Sequence, residues 1–99
     1  MPRYMIEHTH QPAPRECIRT LNEFRIAGSH YLTRAERGCE DNDHRAWVII
    51  EAESADEARL SMPPTVRHEA RVVRLHHYTP DEIVKAVEEL RRGEYRGHL

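Results

Sequence analysis

The run from Ala46 to Ile50 constrains the fold more than any other part of the chain. All five of its residues are apolar, and it is the longest uninterrupted apolar run among 99 residues, of which 32% are charged. A strand with one wet face alternates apolar and polar residues, whereas a continuous apolar run is typical of a strand buried on both faces. We therefore predict a central strand here, with cover on both of its sides.

Composition limits the kinds of partner. The formal net charge is −2 at pH 7, so there is no cationic excess to release counterions from phosphates, and we expect no nucleic-acid partner. No apolar run approaches the roughly 18 residues that span a bilayer, and no charged-then-apolar leader opens the chain. We expect a single domain over residues 1–99 that has no membrane segment and is cytoplasmic.

Periodicity and turn residues predict the order of the elements. Residues Arg3–Thr9 alternate as a strand does, Arg15–Ala27 carries apolar residues at helical spacing, and His30–Ala35 is predicted to be a second strand. Gly28 is expected to end the first helix. Residues 38–43 form a polar connection to the central strand.

Two capping boxes mark helices in the second half. Ser54 with Glu57 predicts a short helix that ends near Met62, before two prolines. Ala70–Leu75 is predicted to be the fourth strand. Thr79 with Glu82 then opens a C-terminal helix over about residues 80–92, and the tail 93–99 is expected to be frayed or partner-dependent.

The resulting order, β-α-β-β-α-β-α, favours an α+β fold of the ferredoxin-like type. Right-handed crossovers give an antiparallel sheet of strand order 4-1-3-2 with two helices on one face. Only one short helix remains to cover the other face of the central strand. We therefore predict a homodimer in which two sheets face each other across a two-fold axis, forming a dimeric α+β barrel.

Three segments resemble a known group of proteins, namely RYMIEH, WVIIEAESADEARLSMPP and ARVVRLHHYTPDEI. With the element order, they resemble the dimeric α+β barrel superfamily over about residues 3–90. That superfamily includes muconolactone-isomerase-like enzymes, small cofactor-free monooxygenases and nickel-binding ferredoxin-like domains. The chain is similar, more narrowly, to small, mostly uncharacterised bacterial proteins. The nickel-binding relatives end their first strand in a histidine, which matches His8; where they carry histidines around the second helix, this chain has Met62-Pro63-Pro64 and then His68.

Histidine is unusually abundant, with eight residues in the chain, and there are two cysteines. The predicted topology brings donors from distant positions to one sheet edge: His8, His10, Cys17, Cys39, His44 and His68. Imidazole and thiolate suit transition metals such as Zn or Ni. We predict a metal site with His8, Cys39 and His44 as first candidates and His10 and Cys17 as further ones. Asp41 and Asp43 could ligate or orient a histidine.

Other interpretations stand beside the metal site. Cys17 could be a core thiol, and His68 a surface residue. A cofactor-free isomerase or monooxygenase could hold a small-molecule ligand in a barrel cavity lined by Tyr4, Met5, Tyr31 and Trp47, with His8 or Glu7 as the acid–base group. A second sheet edge carries His30, Glu51, Glu53, His76 and His77, which could do acid–base work. The chain could also be an interaction domain without a site. No nucleotide-binding or flavin motif is present.

Overall fold

A computed structural model describes residues 1–97, and His98 and Leu99 lie outside the described residues. Four strands and four helices are ordered along the chain as follows: β1 (Arg3–Thr9), α1 (Pro14–Ala27), α2 (Ser29–Arg34), β2 (Glu36–Gly38), β3 (Asp43–Glu51), α3 (Ala55–Arg59), β4 (Arg71–Leu75) and α4 (Pro80–Arg91). Short 3₁₀ turns cover Cys39–Asp41 and Arg67–Glu69. Among these residues, no helix combines the length and the apolar character needed to cross a membrane.

The strands form one antiparallel sheet of order β2-β3-β1-β4. This is the predicted order 4-1-3-2 read from the other edge, and the α+β architecture is compatible with a ferredoxin-like fold. Strand β1 lies in the middle, where Ile6 pairs with Val48 of β3 and with Val72 of β4. Strand β1 is paired on both sides from Arg3 to Glu7 and with β3 alone at His8 and Thr9. Its carboxyl end leads directly into the candidate site.

The core lies on one face of the sheet, between the strands and helices α1 and α3. Its members are mostly small and medium-sized apolar residues together with two aromatic ones: Tyr4, Ile6, Phe24, Ala46, Val48, Ala52, Ala58, Met62, Val66 and Ala70. Phe24 of α1 and Ile6 of β1 are completely buried and are the largest side chains of this group after Tyr4. Both predicted capping boxes are present, because Ser54 and Thr79 accept hydrogen bonds from the backbone N–H groups of Glu57 and Glu82.

The predicted second strand is wrong. Residues 29–34 form helix α2, because Gly28 adopts a φ of +153° that ends α1 and turns the chain at once into a new helix. Tyr31 and Leu32 of α2 then pack against the core. The second strand is instead the three-residue β2, which pairs with β3. The short helix α3 also ends at Arg59, before the predicted end near Met62.

The far face of the sheet is open within one chain. Strand β3 was predicted to be covered on both sides, yet Ile49 is 58% exposed and Trp47 is half-buried, whereas Ala46 and Val48 on the helix side are buried. Within residues 1–97, helix α4 does not pack extensively against any strand or other helix, so it does not cover this face. Within one chain, the face of β3 away from the helices therefore lacks the cover that the sequence predicts.

Candidate metal centre

Four segments of the chain converge at one edge of the sheet. His10 follows β1, Cys17 lies in the first turns of α1, Cys39 begins the 3₁₀ turn after β2, and His44 is the second residue of β3. Local structure explains the convergence. The backbone N–H of His10 donates to the carbonyl of His44 at 3.0 Å, which continues the β1–β3 ladder by one step. Pro14 then begins α1, so Cys17 comes back toward His10 within a few residues.

The donor atoms of His10, Cys17, Cys39 and His44 all lie within 4.8 Å of one another. Cys17 Sγ is 3.1 Å from His10 Nε2 and 3.3 Å from His44 Nδ1. Cys39 Sγ is 3.5 Å from His10 Nε2. A tetrahedral site with metal–sulfur bonds of about 2.3 Å and metal–nitrogen bonds of about 2.0–2.1 Å places sulfur and nitrogen about 3.5 Å apart. The three measured separations are therefore close to those of a ligated ion.

Asn42 orients one of the imidazoles. His44 Nε2 lies 3.1 Å from Asn42 Oδ1, which can only accept, so Nε2 carries the proton and Nδ1 presents its lone pair to the cluster. Asn42 adopts a left-handed conformation with φ of 62° at the end of the 3₁₀ turn. The sequence predicted Asp41 or Asp43 for this role, and Asn42 was not among the candidates. Asp43 is engaged elsewhere, because both of its oxygens accept from the Arg45 guanidinium at 2.6 Å.

Burial and charge set the protonation of the cluster. Burial lowers the pKa of His10, and the positive charge of Arg37 lowers it further, so the ring is neutral and able to ligate. Burial raises the pKa of the Cys17 thiol, and the adjacent Cys39 thiol adds to this effect, while Arg37 opposes it. Cys17 is thus a neutral thiol until a cation replaces its proton. A raised pKa also makes Cys17 a poor catalytic nucleophile.

The cluster borders solvent on one side. His10 is 7% exposed, whereas the other three members are half-buried. An open groove of about 450 Å³ runs past Cys17, Cys39 and His44, which gives an ion a path to the site. Both cysteines are free thiols.

His8, one of the first candidates, lies outside the cluster. Its side chain is buried, and Nε2 is 3.5 Å from Glu69 Oε1. His8 and Glu69 line a cleft of about 340 Å³ between β1, α1 and the second 3₁₀ turn, and His10 borders the same cleft. His68 lies in that turn and is exposed. The structure thus unites Cys39 and His44 with the two further candidates, His10 and Cys17.

The residues of the predicted cavity are divided between the two faces of the sheet. Tyr4 belongs to the core on the helix side, and Tyr31 packs against that core. Met5 and Trp47 project to the open face, together with Glu7. No one cavity within a chain is therefore lined by all four aromatic and methionine side chains proposed for it.

Glu7 is held as a carboxylate. Burial raises its pKa, but hydrogen bonds from Arg71, Trp47 and Arg45 outweigh that effect, and the net pKa is lowered. A general acid needs a raised pKa, so this environment suits a structural ion pair. Likewise, the second sheet edge does not assemble a donor group, since the cluster at His10 is the one group of three or more such donors within residues 1–97.

Comparison with known proteins gave no relatives. A scan against protein-family models found no match. Searches of the curated proteins and of the solved structures also found none. The functional argument therefore rests on the geometry of the cluster.

Proposed function

We propose that this protein binds one transition-metal ion per chain through His10, Cys17, Cys39 and His44. The observation that carries the proposal is the mutual proximity of two sulfur and two imidazole donors from four separate segments. Buried polar groups normally find partners within the protein, yet here the donors mainly face one another. A cation at their centre satisfies all four at once.

Zn²⁺ fits this donor set best. Two thiolates with two imidazoles in a tetrahedral arrangement are typical of zinc, and Ni²⁺ prefers planar or higher coordination. Four protein ligands leave no coordination position for a substrate. The proposed role is therefore a structural, storage or sensing site, and a hydrolytic centre is disfavoured.

The ion would join parts of the fold that have few other connections. It would tie the start of α1 and the end of β1 to the turn between β2 and β3. Strand β2 has only three residues and a pairing irregularity at Gly38, so this turn gains most from a bound ion. We further propose a reducing compartment such as the cytoplasm, in which the two thiols stay available.

Metal analysis of the protein purified without a histidine tag tests the proposal. We expect one equivalent of zinc per chain, and cobalt substitution should give thiolate-to-metal charge-transfer absorption together with the visible bands of a tetrahedral site. The double variant Cys39→Ala, His44→Ala should lose the ion. His68→Ala, which removes an exposed histidine outside the cluster, is the matched control and should keep it.

His8→Gln distinguishes between the two ligand sets. It should retain the metal, because His8 lies outside the cluster. A protein that carries no metal and fails to bind added zinc or nickel would refute the proposal.

A further inference from the structure

The two cysteines of the chain form a pair within the cluster. Cys17 in α1 and Cys39 in the turn after β2 are distant in sequence, yet their sulfur atoms lie within 4.8 Å of each other. Both are free thiols, and the sequence contains no third cysteine. Any disulfide that forms within one chain must therefore join these two residues.

Local structure allows the two sulfurs to come together. The sulfur atoms of a disulfide are about 2 Å apart, so these two must approach by at most about 3 Å. Cys17 belongs to a helix of 14 residues, whereas Cys39 begins a single 3₁₀ turn after a strand of three residues. The pairing of that strand with β3 is irregular between Arg37 and Gly38. The short segment that carries Cys39 is therefore the one that moves to close the bond.

A small oxidant has access to both thiols. Cys17 and Cys39 are half-buried, and both line the open groove of about 450 Å³ that borders the cluster. Hydrogen peroxide is little larger than water and enters such a groove freely. The same groove is the path for a metal ion, so the ion and the oxidant compete for one pair of sulfur atoms.

We propose that Cys17 and Cys39 are a site of reversible oxidation by small hydroperoxides, and that the disulfide and the metal ion exclude each other. The inference rests on the proposed function, because the metal binds the two sulfurs as thiolates. In the oxidised chain only His10 and His44 remain as donors of the cluster, and two imidazoles are too few for a four-coordinate zinc site. The protein thus takes up metal only while its thiols are reduced.

The oxidation balances with one hydrogen peroxide for each pair of thiols. One thiolate attacks the O–O bond, which breaks; that sulfur becomes a sulfenic acid, and hydroxide leaves and takes up the proton of the first thiol as water. The second sulfur then displaces hydroxide from the sulfenic acid and forms the S–S bond, and its proton leaves with that hydroxide as a second water. Two sulfurs are oxidised, and both peroxide oxygens are reduced. A dithiol such as dithiothreitol reverses the oxidation by thiol–disulfide exchange.

The disulfide and the ion close the same connection in the fold. Each links the start of α1 to the turn between β2 and β3. A disulfide restricts the unfolded chain as a bound ion does, so the oxidised chain should keep its fold while it loses its metal. Loss of zinc on oxidation is therefore not a consequence of unfolding, and circular dichroism checks this point.

Mutual exclusion has a measurable thermodynamic consequence. If oxidation lowers the affinity for zinc, zinc must favour the dithiol over the disulfide by the same factor. Free zinc at about a thousand times its dissociation constant for the reduced chain should raise the dithiol-to-disulfide ratio about a thousandfold. For a two-electron couple, this lowers the midpoint potential by about 90 mV.

Redox titration of the full chain in dithiothreitol buffers tests the proposal, with free zinc either absent or fixed by a chelator buffer. Alkylation and mass spectrometry give the ratio of dithiol to disulfide, and we expect the midpoint to be lower by about 90 mV with zinc at a thousand times its dissociation constant. Competition with a chromogenic chelator should show that zinc affinity falls by about a thousandfold or more in the oxidised chain. Reduction should restore the affinity.

His44→Ala is the matched variant, because it removes one imidazole of the cluster and leaves both sulfurs in place. It should form the disulfide as the wild type does, but it should lose most of the zinc-dependent shift of the midpoint. Cys39→Ser should form no disulfide within the chain. His68→Ala, at an exposed position outside the cluster, should show the full shift.

Two results would overturn the exclusion and leave the metal site standing. One is a reduced chain that binds zinc but forms no disulfide between Cys17 and Cys39 when the metal-free protein is treated with peroxide. The other is an oxidised chain that binds zinc as tightly as the reduced one. A reduced chain that fails to bind zinc would instead refute the proposed function and this inference together, so the zinc content of the reduced protein separates the two failures.

Discussion

Removal of the metal should lower the stability of the fold by an amount that follows from the chain segments it joins. Cys17 and Cys39 enclose a loop of about 23 residues. Cross-linking a loop of that size lowers the entropy of the unfolded chain and so stabilises the folded state by about 3 kcal/mol at 25 °C. Binding linkage gives a similar figure, since free zinc at a thousand times its dissociation constant stabilises the folded state by about 4 kcal/mol.

Thermal unfolding followed by circular dichroism measures this effect. For a domain of this size, each kcal/mol corresponds to about 4–8 °C in Tm, so a chelator should lower Tm by about 12–30 °C. Protein concentration is held constant, because any self-association would also change Tm. Cys39→Ser should unfold near the Tm of the chelated wild type and should gain little from added zinc.

His68→Ala again provides the control and should keep the full zinc-dependent shift. The reasoning would be refuted by a chelated protein with an unchanged Tm. It would be refuted equally by a Cys39→Ser variant that is stabilised by zinc as strongly as the wild type, because the ion would then be bound elsewhere.

Three further outcomes follow from the structure. Zinc binding should weaken as pH falls and should release protons in unbuffered titration, because Cys17 has a raised pKa and is a neutral thiol without metal. Hydrogen peroxide should join Cys17 to Cys39 in the metal-free protein, the two thiols losing two hydrogens to give a disulfide and two waters; mass spectrometry should show this loss, and bound zinc should prevent it. Glu7 has a pKa below the value near 4.5 of the unfolded chain, so its carboxylate stabilises the fold above pH 4.5, and this contribution is lost as pH falls through the lower pKa of the folded state. Glu7→Gln should lower the free energy of unfolding by about 1–3 kcal/mol at pH 7, measured by urea unfolding, and should weaken the loss of stability in acid.

Much of the fold could be predicted from local signals. The alternation in β1, the apolar run in β3 and the two capping boxes each leave a clear pattern, and the order of these elements restricts the sheet to few topologies. Strand β2 leaves no such pattern. Its residues Glu36-Arg37-Gly38 are held by pairing with β3, and a side chain at Gly38 would come within 2.8 Å of the Asp43 carbonyl oxygen. Only the tertiary structure shows that requirement.

The identity of the clustered histidine depended on register. His8 and His10 share one face of the strand, but the His8 ring turns toward Glu69 while the His10 ring faces Cys17 and Cys39, so only His10 joins the cluster. The topology placed both at the correct edge of the sheet. The choice between them follows from the pairing of β1 with β3, in which the His10 N–H donates to the His44 carbonyl. Periodicity gives the face of a residue but does not give its partner across the sheet.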